Sequence, residues 1–349
     1  MDRPQLRLSG DARDRMTTTA HRVVAALLIA LAVGSQAAAA GSASTMLDTG
    51  GSESVPGPTV TLARSSHYVT GAHRVSGRVV LEHVSDDPVQ LVSVSVGCRD
   101  KNGLEQRLGQ YMNTLAVAPV TVLEPHVVFH ASDDFTCWIA ARAMRIRAAP
   151  GTDGQVQHVK VRSAEVTVEP VHYRSRALAV HAADDKTEML GASRVIRSRS
   201  NSVAASVRTV LLDPTSDVNI DVRAGLQLTS CTHVFGSSDQ TTNGRELCQE
   251  PGVSMEQPSG PVVYTQLFIR QMRPDGSECR TVEVPGARTY GRLSALRHHA
   301  PRSSSGRLTL PGSTECGSDV RAFVRIHVSR GPGVVVHWPG SNISIELSG

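Results

Sequence analysis

The sequence predicts an all-β chain built as two tandem β-sandwich domains stapled by disulfides. Three observations carry that expectation. Short runs of alternating apolar residues, separated by turn signals, recur along most of the chain, and no stretch shows a convincing helical period. Valine, serine and threonine abound while aromatics make up only 3% of residues, so the cores must be built from β-branched aliphatics, which suit strands. The six cysteines are even in number and widely spaced, as in the disulfide framework of an exported protein.

The N-terminus supplies the export signal. His21 and Arg22 precede "VVAALLIALAV", eleven apolar residues from Val23 to Val33, and "AAAA" at 37–40 leads into small residues. A basic flank, a short apolar core and an A-x-A site make residues 1–40 a secretory signal peptide, cleaved after Ala40. Eleven residues span about 16 Å as a helix, roughly half a bilayer core, so no stable membrane insertion is expected after cleavage. Asp2, Asp11 and Asp14 fit such a leader poorly and point to Met16 as the true start. The first cysteine, Cys98, comes too late for lipid attachment. Removing residues 1–40 takes five of 36 basic and three of 32 acidic residues, leaving 31 against 29 and a net charge of +2. That balance gives no push toward nucleic acid.

Residues 41–58 are Gly/Ser/Pro-rich and read as a disordered leader. The first sandwich is expected over 59–173, with strands at 59–63, 75–84, 89–97, 120–130, 136–148, 156–161 and 164–169. Turn chemistry separates them at "SDDP" 85–88, "RDKNG" 99–103 and "APGTDG" 149–154. Residues 174–202 lose the alternation, gain charge and read as a linker. The second sandwich follows over 203–349, with strands near 206–212, 217–228, 262–270, 279–284, 320–328, 334–338 and 343–347, and a long loop at 236–261. In "DVRAFVRIHV", Val320, Ala322, Val324, Ile326 and Val328 share a core face, and Arg321, Arg325 and His327 share a wet one. Laying Cys137 on Cys316 gives six identities in 32 positions, a hint of internal duplication, although the apolar phase slips by one residue.

The stretch "HASDDFTCWIAARAM" at 130–144 asks what Cys137 does. Asp133 and Asp134 would raise a thiol pKa, the wrong direction for a nucleophile, and no C-x₂-C pair offers a zinc site. A disulfide with Cys98 is expected. Three arrangements remain for the other four cysteines. Duplication favours Cys231–Cys316 with Cys248–Cys279, while short separations favour Cys231–Cys248 with Cys279–Cys316. The segment "DDFTCWIAA" resembles the F-strand of an immunoglobulin-type domain, in which an aromatic stands two residues before the second cysteine. Here that residue is Phe135, which lacks the tyrosine hydroxyl, and no tryptophan follows Cys98. The resemblance implies an immunoglobulin-like sandwich.

No catalytic residue, metal or cofactor is expected, since G-x-S-x-G, H-E-x-x-H, S-x-x-K and phosphate-loop signatures are all missing. Asp217, Asn219 and Asp221 resemble a calcium loop, but Val222 stands where glycine is needed and Leu228 where glutamate is. An amphipathic strand is the better reading. His126 and His130 fall on one strand face about 13 Å apart, as two surface histidines. "NIS" at 342–344 fits a glycosylation sequon inside a strand. The scarcity of aromatics argues against a carbohydrate platform. One basic stretch, "RLSALRHHAPRSSSGR", reads as a loop with a flexible Ser/Gly tip, and its Arg292, Arg297, His298, His299, Arg302 and Arg307 are candidate anion ligands. The expected function is that of a secreted, non-enzymatic binding or structural protein acting at or outside the cell surface. Its partner would be an extracellular protein or a cell-surface polymer. The alternatives are an extracellular hydrolase with a dispersed, loop-borne site, or polyanion binding through the 292–307 loop.

Overall fold

Nested antiparallel pairing organises both halves of the chain. The computed structural model describes residues 45–52, 55–147, 149–152, 154–171, 176–178, 189–190, 193–231, 260–294 and 296–348. The expected signal peptide, and the loop expected at 236–261 as far as residue 259, lie outside the described residues.

The first nine strands are β1 (Thr45–Asp48), β2 (Val60–His67), β3 (Gly71–His83), β4 (Val89–Asp100), β5 (Glu105–Leu115), β6 (Val120–Leu123), β7 (His126–Ala131), β8 (Phe135–Arg147) and β9 (His158–Pro170). They form two sheets, β1-β9-β3 with β6 and β7 both on the far edge of β3, and β2-β8-β4-β5. Pairing runs from the innermost hairpin outward: β4 with β5, β3 with β6 and β7, β2 with β8, β1 with β9. This is one long hairpin ladder folded over on itself, the double Greek key of a jelly roll. Alternation drives it. Val75, Val79 and Leu81 of β3 face Cys137, Ile139 and Ala141 of β8 across the core, all essentially inaccessible to solvent. The two sheets approach so closely at Gly77 that a Cβ there would stand 2.4 Å from Ile139 Cδ1.

The remaining strands are β10 (Arg176–Leu178), β11 (Met189–Leu190), β12 (Ser193–Ile196), β13 (Asn201–Val210), β14 (Val218–Ser230), β15 (Val262–Met272), β16 (Glu278–Arg292), β17 (His299–Leu310), β18 (Asp319–Arg330) and β19 (Val334–Ser348). Their sheets run β11-β12-β19-β14-β17, with β10 on β19, and β13-β18-β15-β16. Matching β12 to β1 and each later strand to its counterpart reproduces the first sandwich's order. A second, separate core extends from Ile196 to Leu347.

Several expectations change. Residues 41–58 are not simply a leader, because β1 pairs with β9 and buries Leu47 completely. The supposed linker 174–202 supplies three short strands, and β12 places Ile196 in the second core by pairing with β19. The runs at 156–161 and 164–169 are one strand, their break being a register shift opposite Val80 and Leu81. The sandwich class holds, but within it the connectivity is that of a jelly roll. Cys98 and Cys137 sit directly opposite each other on neighbouring strands of one sheet, with Cα atoms 4.0 Å apart, whereas the immunoglobulin bridge spans two sheets. In the second sandwich Cys279 bonds Cys316, so neither Cys231–Cys316 nor Cys248–Cys279 forms. The duplication is real in strand order, yet the cysteines do not mark it: β15, the counterpart of β4, carries none. Cys231 is also disulfide-bonded, and Cys248 lies outside the described residues.

Candidate functional site

The outward face of the β2-β8-β4-β5 sheet carries the most developed site. Because Cys137 and Ile139 point into the core, Trp138 must point out. Across the sheet the register places Arg64 of β2, Trp138 of β8, Gly97 of β4 and Arg107 of β5 in one row. The indole lies over Gly97, where a Cβ would stand 2.9 Å from Cζ2 and 3.2 Å from Cε2. A side chain in place of Gly97 would lift the ring away. The next row toward the sheet end is Ser66, Thr136, Arg99 and Glu105. Arg64, Trp138, Ser66, Thr136 and Arg99 line a cleft of about 630 Å³ whose walls include Tyr68 and Lys101, and Arg107 stands beside it at the end of the Trp138 row. Tyr68 is 78% exposed.

The rim is rigid. Asp100 is buried and accepts hydrogen bonds from the Leu104 amide (2.9 Å) and the Ser132 hydroxyl (2.9 Å). Lys101 pairs with Asp134, Arg99 with Glu105, and Asp133 accepts the Asp134 amide at 2.7 Å, which is turn chemistry. The cleft's acidic side chains are therefore engaged. Arg64 and Arg107 are not: among the described residues neither forms an ion pair. Ser65 Oγ lies 2.7 Å from His67 Nε2, but burial and then repulsion by His73 hold that ring's pKa below the ordinary value. Among the described residues no carboxylate hydrogen-bonds to His67, so the pair lacks the orienting acid that a nucleophilic dyad uses.

A second polar concentration lies in the seam between the sandwiches. The Gln227 side-chain amide accepts from the Tyr111 backbone N–H and donates to its carbonyl, both at 2.9 Å, capping the free edge of β5 as another strand would. Asn113 accepts the His299 amide (2.8 Å), Asn342 donates to the His126 carbonyl (2.5 Å), and Arg74 bridges Glu169 and Glu346, the latter at 2.7 Å. Thr229 Oγ1 is 2.7 Å from both His299 Nδ1 and His337 Nε2, and the Tyr111 ring meets both imidazoles edge-on. Burial dominates the ionisation here. It drives His126 and His337 down to about 4, and His299 well below its ordinary value. It also pushes the Tyr111 phenol up. The joint therefore holds its imidazoles uncharged.

The candidate anion ligands do not form one loop. His299 to Leu310 is strand β17, with the Ser/Gly tip paired to β14. Arg307 is held by Asp221 (2.6 Å), His299 belongs to the seam, and the His298 ring packs against it at a 45° tilt with centroids 3.9 Å apart. Arg302 points inward across Gly291 and donates to the Pro301 and Arg292 carbonyls, at 3.2 and 3.3 Å; burial lowers its pKa and that of Arg297. Arg292 is exposed. The calcium-like residues take separate partners: Asp221 on Arg307, Asn219 on Thr309, Asp217 on the Gly312 amide. His126 is buried at the seam, contrary to the surface placement, because β7 turns it toward β19. Asn342 is likewise buried and engaged, so the sequon is inaccessible. Among the described residues no cluster of metal-ligating side chains forms.

No family model and no curated protein matches the chain. Among solved structures it is similar to the tandem CBM22 domains of Paenibacillus barcinonensis Xyn10C, at 10% identity and a TM-score of 0.25 over 87% of this chain and 98% of that one. It is also similar to PNGase F, a glycosylasparaginase from Flavobacterium meningosepticum, at 9% identity and 0.31 over 87% and 96%. A third is the infectious bursal disease virus VP2 subviral particle, at 9% and 0.24 over 87% and 76%. None of these likenesses assigns a ligand or an activity to the chain.

Proposed function

We propose that the chain is an exported, non-catalytic binding protein that takes an acidic polysaccharide in the Trp138 cleft. The observation that carries this reading is the indole seated against Gly97 in a row that ends on either side in a guanidinium group without a carboxylate partner. A sugar ring can stack its C–H face on an indole, and a uronate carboxylate can take a guanidinium fork through two charge-assisted hydrogen bonds. The scarcity of aromatics does not oppose the idea. Both cores are built almost wholly from aliphatics, which leaves Trp138 and Tyr68 for the surface. Disulfides and the apolar leader support action outside the reducing interior.

The test is a titration of tryptophan emission with an oligogalacturonate, using a neutral gluco-oligosaccharide as contrast. The acidic oligomer is expected to shift emission at micromolar to millimolar concentration, and Trp138→Ala to abolish the response. Replacing Arg64 and Arg107 by Gln together should weaken binding about tenfold, near 1.4 kcal/mol. A response that survives Trp138→Ala, or one equally strong with the neutral sugar, would overturn the assignment.

A further inference from the structure

The second sandwich repeats this arrangement on its corresponding sheet, with different residues. On the outer face of β13-β18-β15-β16 the register stacks side chains in rows. His327, Tyr264 and Tyr290 form one, and Phe323 beside Phe268 forms another, with rings stacked at 5.3 Å and 14°. Arginines fill the rows between and beyond. Arg325 lies over both Phe268 (5.0 Å) and Phe323 (5.6 Å), Arg270 over Phe323 (5.1 Å), and Arg288 over Tyr264 (5.2 Å). Such stacking fixes the guanidinium plane through the ring quadrupole while its N–H edge stays free for an oxyanion.

The charge does not cancel. The arginines on this face, Arg208, Arg270, Arg288, Arg292, Arg321 and Arg325, outnumber its carboxylates, Glu278, Glu283 and Asp319. Arg208 and Arg321 share Asp319 at 2.7 and 3.7 Å, and Arg270 reaches Glu278 at 3.0 Å. Among the described residues Arg288 and Arg325 touch no carboxylate. Tyr290 is 66% exposed, unusual for so large a ring on a sheet with a well-filled core behind it.

We propose that this face is a second, independent binding surface for a carboxylate-bearing polysaccharide, with Arg288 and Arg325 taking carboxylates and the exposed Tyr290, beside Tyr264, taking sugar rings. A chain near charge neutrality has no general attraction for polyanions, so a local cationic excess held on aromatic rings selects a ligand with acid groups and apolar ring faces together. Nucleic acid shares part of that chemistry and is the competing occupant.

The experiment is retention of the full chain on immobilised polygalacturonate in the Trp138→Ala background. That background removes the first cleft, so failure here leaves the first reading untouched. Retention should persist at low salt and weaken as salt rises. Arg288→Gln with Arg325→Gln should reduce the remaining affinity about tenfold. Tyr290→Ala, whose ring meets the Tyr264 ring alone among the described aromatic residues, should do the same without touching the arginines, and covers the case in which the double variant fails to fold. The proposal is overturned if retention is unchanged in the Tyr290 variant or in a folded double variant. It is also overturned if a single-stranded oligonucleotide binds more tightly than polygalacturonate and is lost with the same substitutions.

Discussion

A methyl group at Gly97 would overlap the Trp138 indole, at 2.9 Å from Cζ2. Gly97→Ala should therefore cost binding before it costs stability. We expect the oligogalacturonate response to weaken at least about tenfold while the thermal midpoint moves little, checked by fluorescence titration beside calorimetry. Arg145 behaves in the opposite way. Fully buried, it grips Asp87 through Nε (2.7 Å) and Nη2 (3.0 Å), and donates through Nη1 to the carbonyls of Gly51, Thr152 and Gln155. Burial opposes ionisation of Asp87, but these contacts outweigh it and hold the carboxyl below its usual range. Arg145→Met leaves a buried carboxylate without a counter-charge and should cost about 3–5 kcal/mol by chemical denaturation, with ligand response intact once folded. Trp138 was half-legible in the sequence. Parity with a buried Cys137 sends it outward, but which residues stand beside it depends on register between strands forty residues apart, which no local pattern encodes.

The two full-length strands that alternation missed, β5 and β17, both lie in the seam. Each turns polar groups toward the other sandwich: Tyr111 and Asn113 from one, His299 from the other. A strand whose second face is also covered loses the polar-out signature, and here the covering surface is itself polar, so neither period nor hydrophobicity marks it. The same joint gives an acid sensitivity. His126, His298 and His337 bind protons near pH 4 when folded, against an ordinary value of 6.5. Below about 6.5 the unfolded chain takes up protons that the folded chain refuses, so stability falls progressively from there toward about 4. Denaturant midpoints measured from pH 7.5 to 4.5 should decline across that window, and His337→Gln should flatten the slope. Gln227→Leu strips the cap from Tyr111, leaving a backbone donor and acceptor unmet. About 1–3 kcal/mol should be lost, read as a drop in the urea midpoint.

At the scale of the molecule, the sequence disclosed two β-sandwiches with their disulfide chemistry, and missed the pairing order. Composition and alternation report which residues face a core; they do not report which strands are neighbours. Cysteines misled for the same reason, because Cys137 and Cys316 occupy unrelated places in otherwise matching frameworks. A non-reducing peptide map should return Cys98 with Cys137, Cys279 with Cys316 and Cys231 with Cys248, and a Cys231–Cys316 peptide would contradict the fold. Finally, β19 comes after every other described strand in chain order, and it does two jobs. It completes the second sandwich by pairing with β12 and β14, and it carries His337, Asn342 and Glu346 to the first. A nascent chain cannot seal its second sandwich or lock it onto its first until Val334–Ser348 has emerged, so a product truncated before Val334 should be cleared by proteases as an open form while a chain that includes this strand resists them.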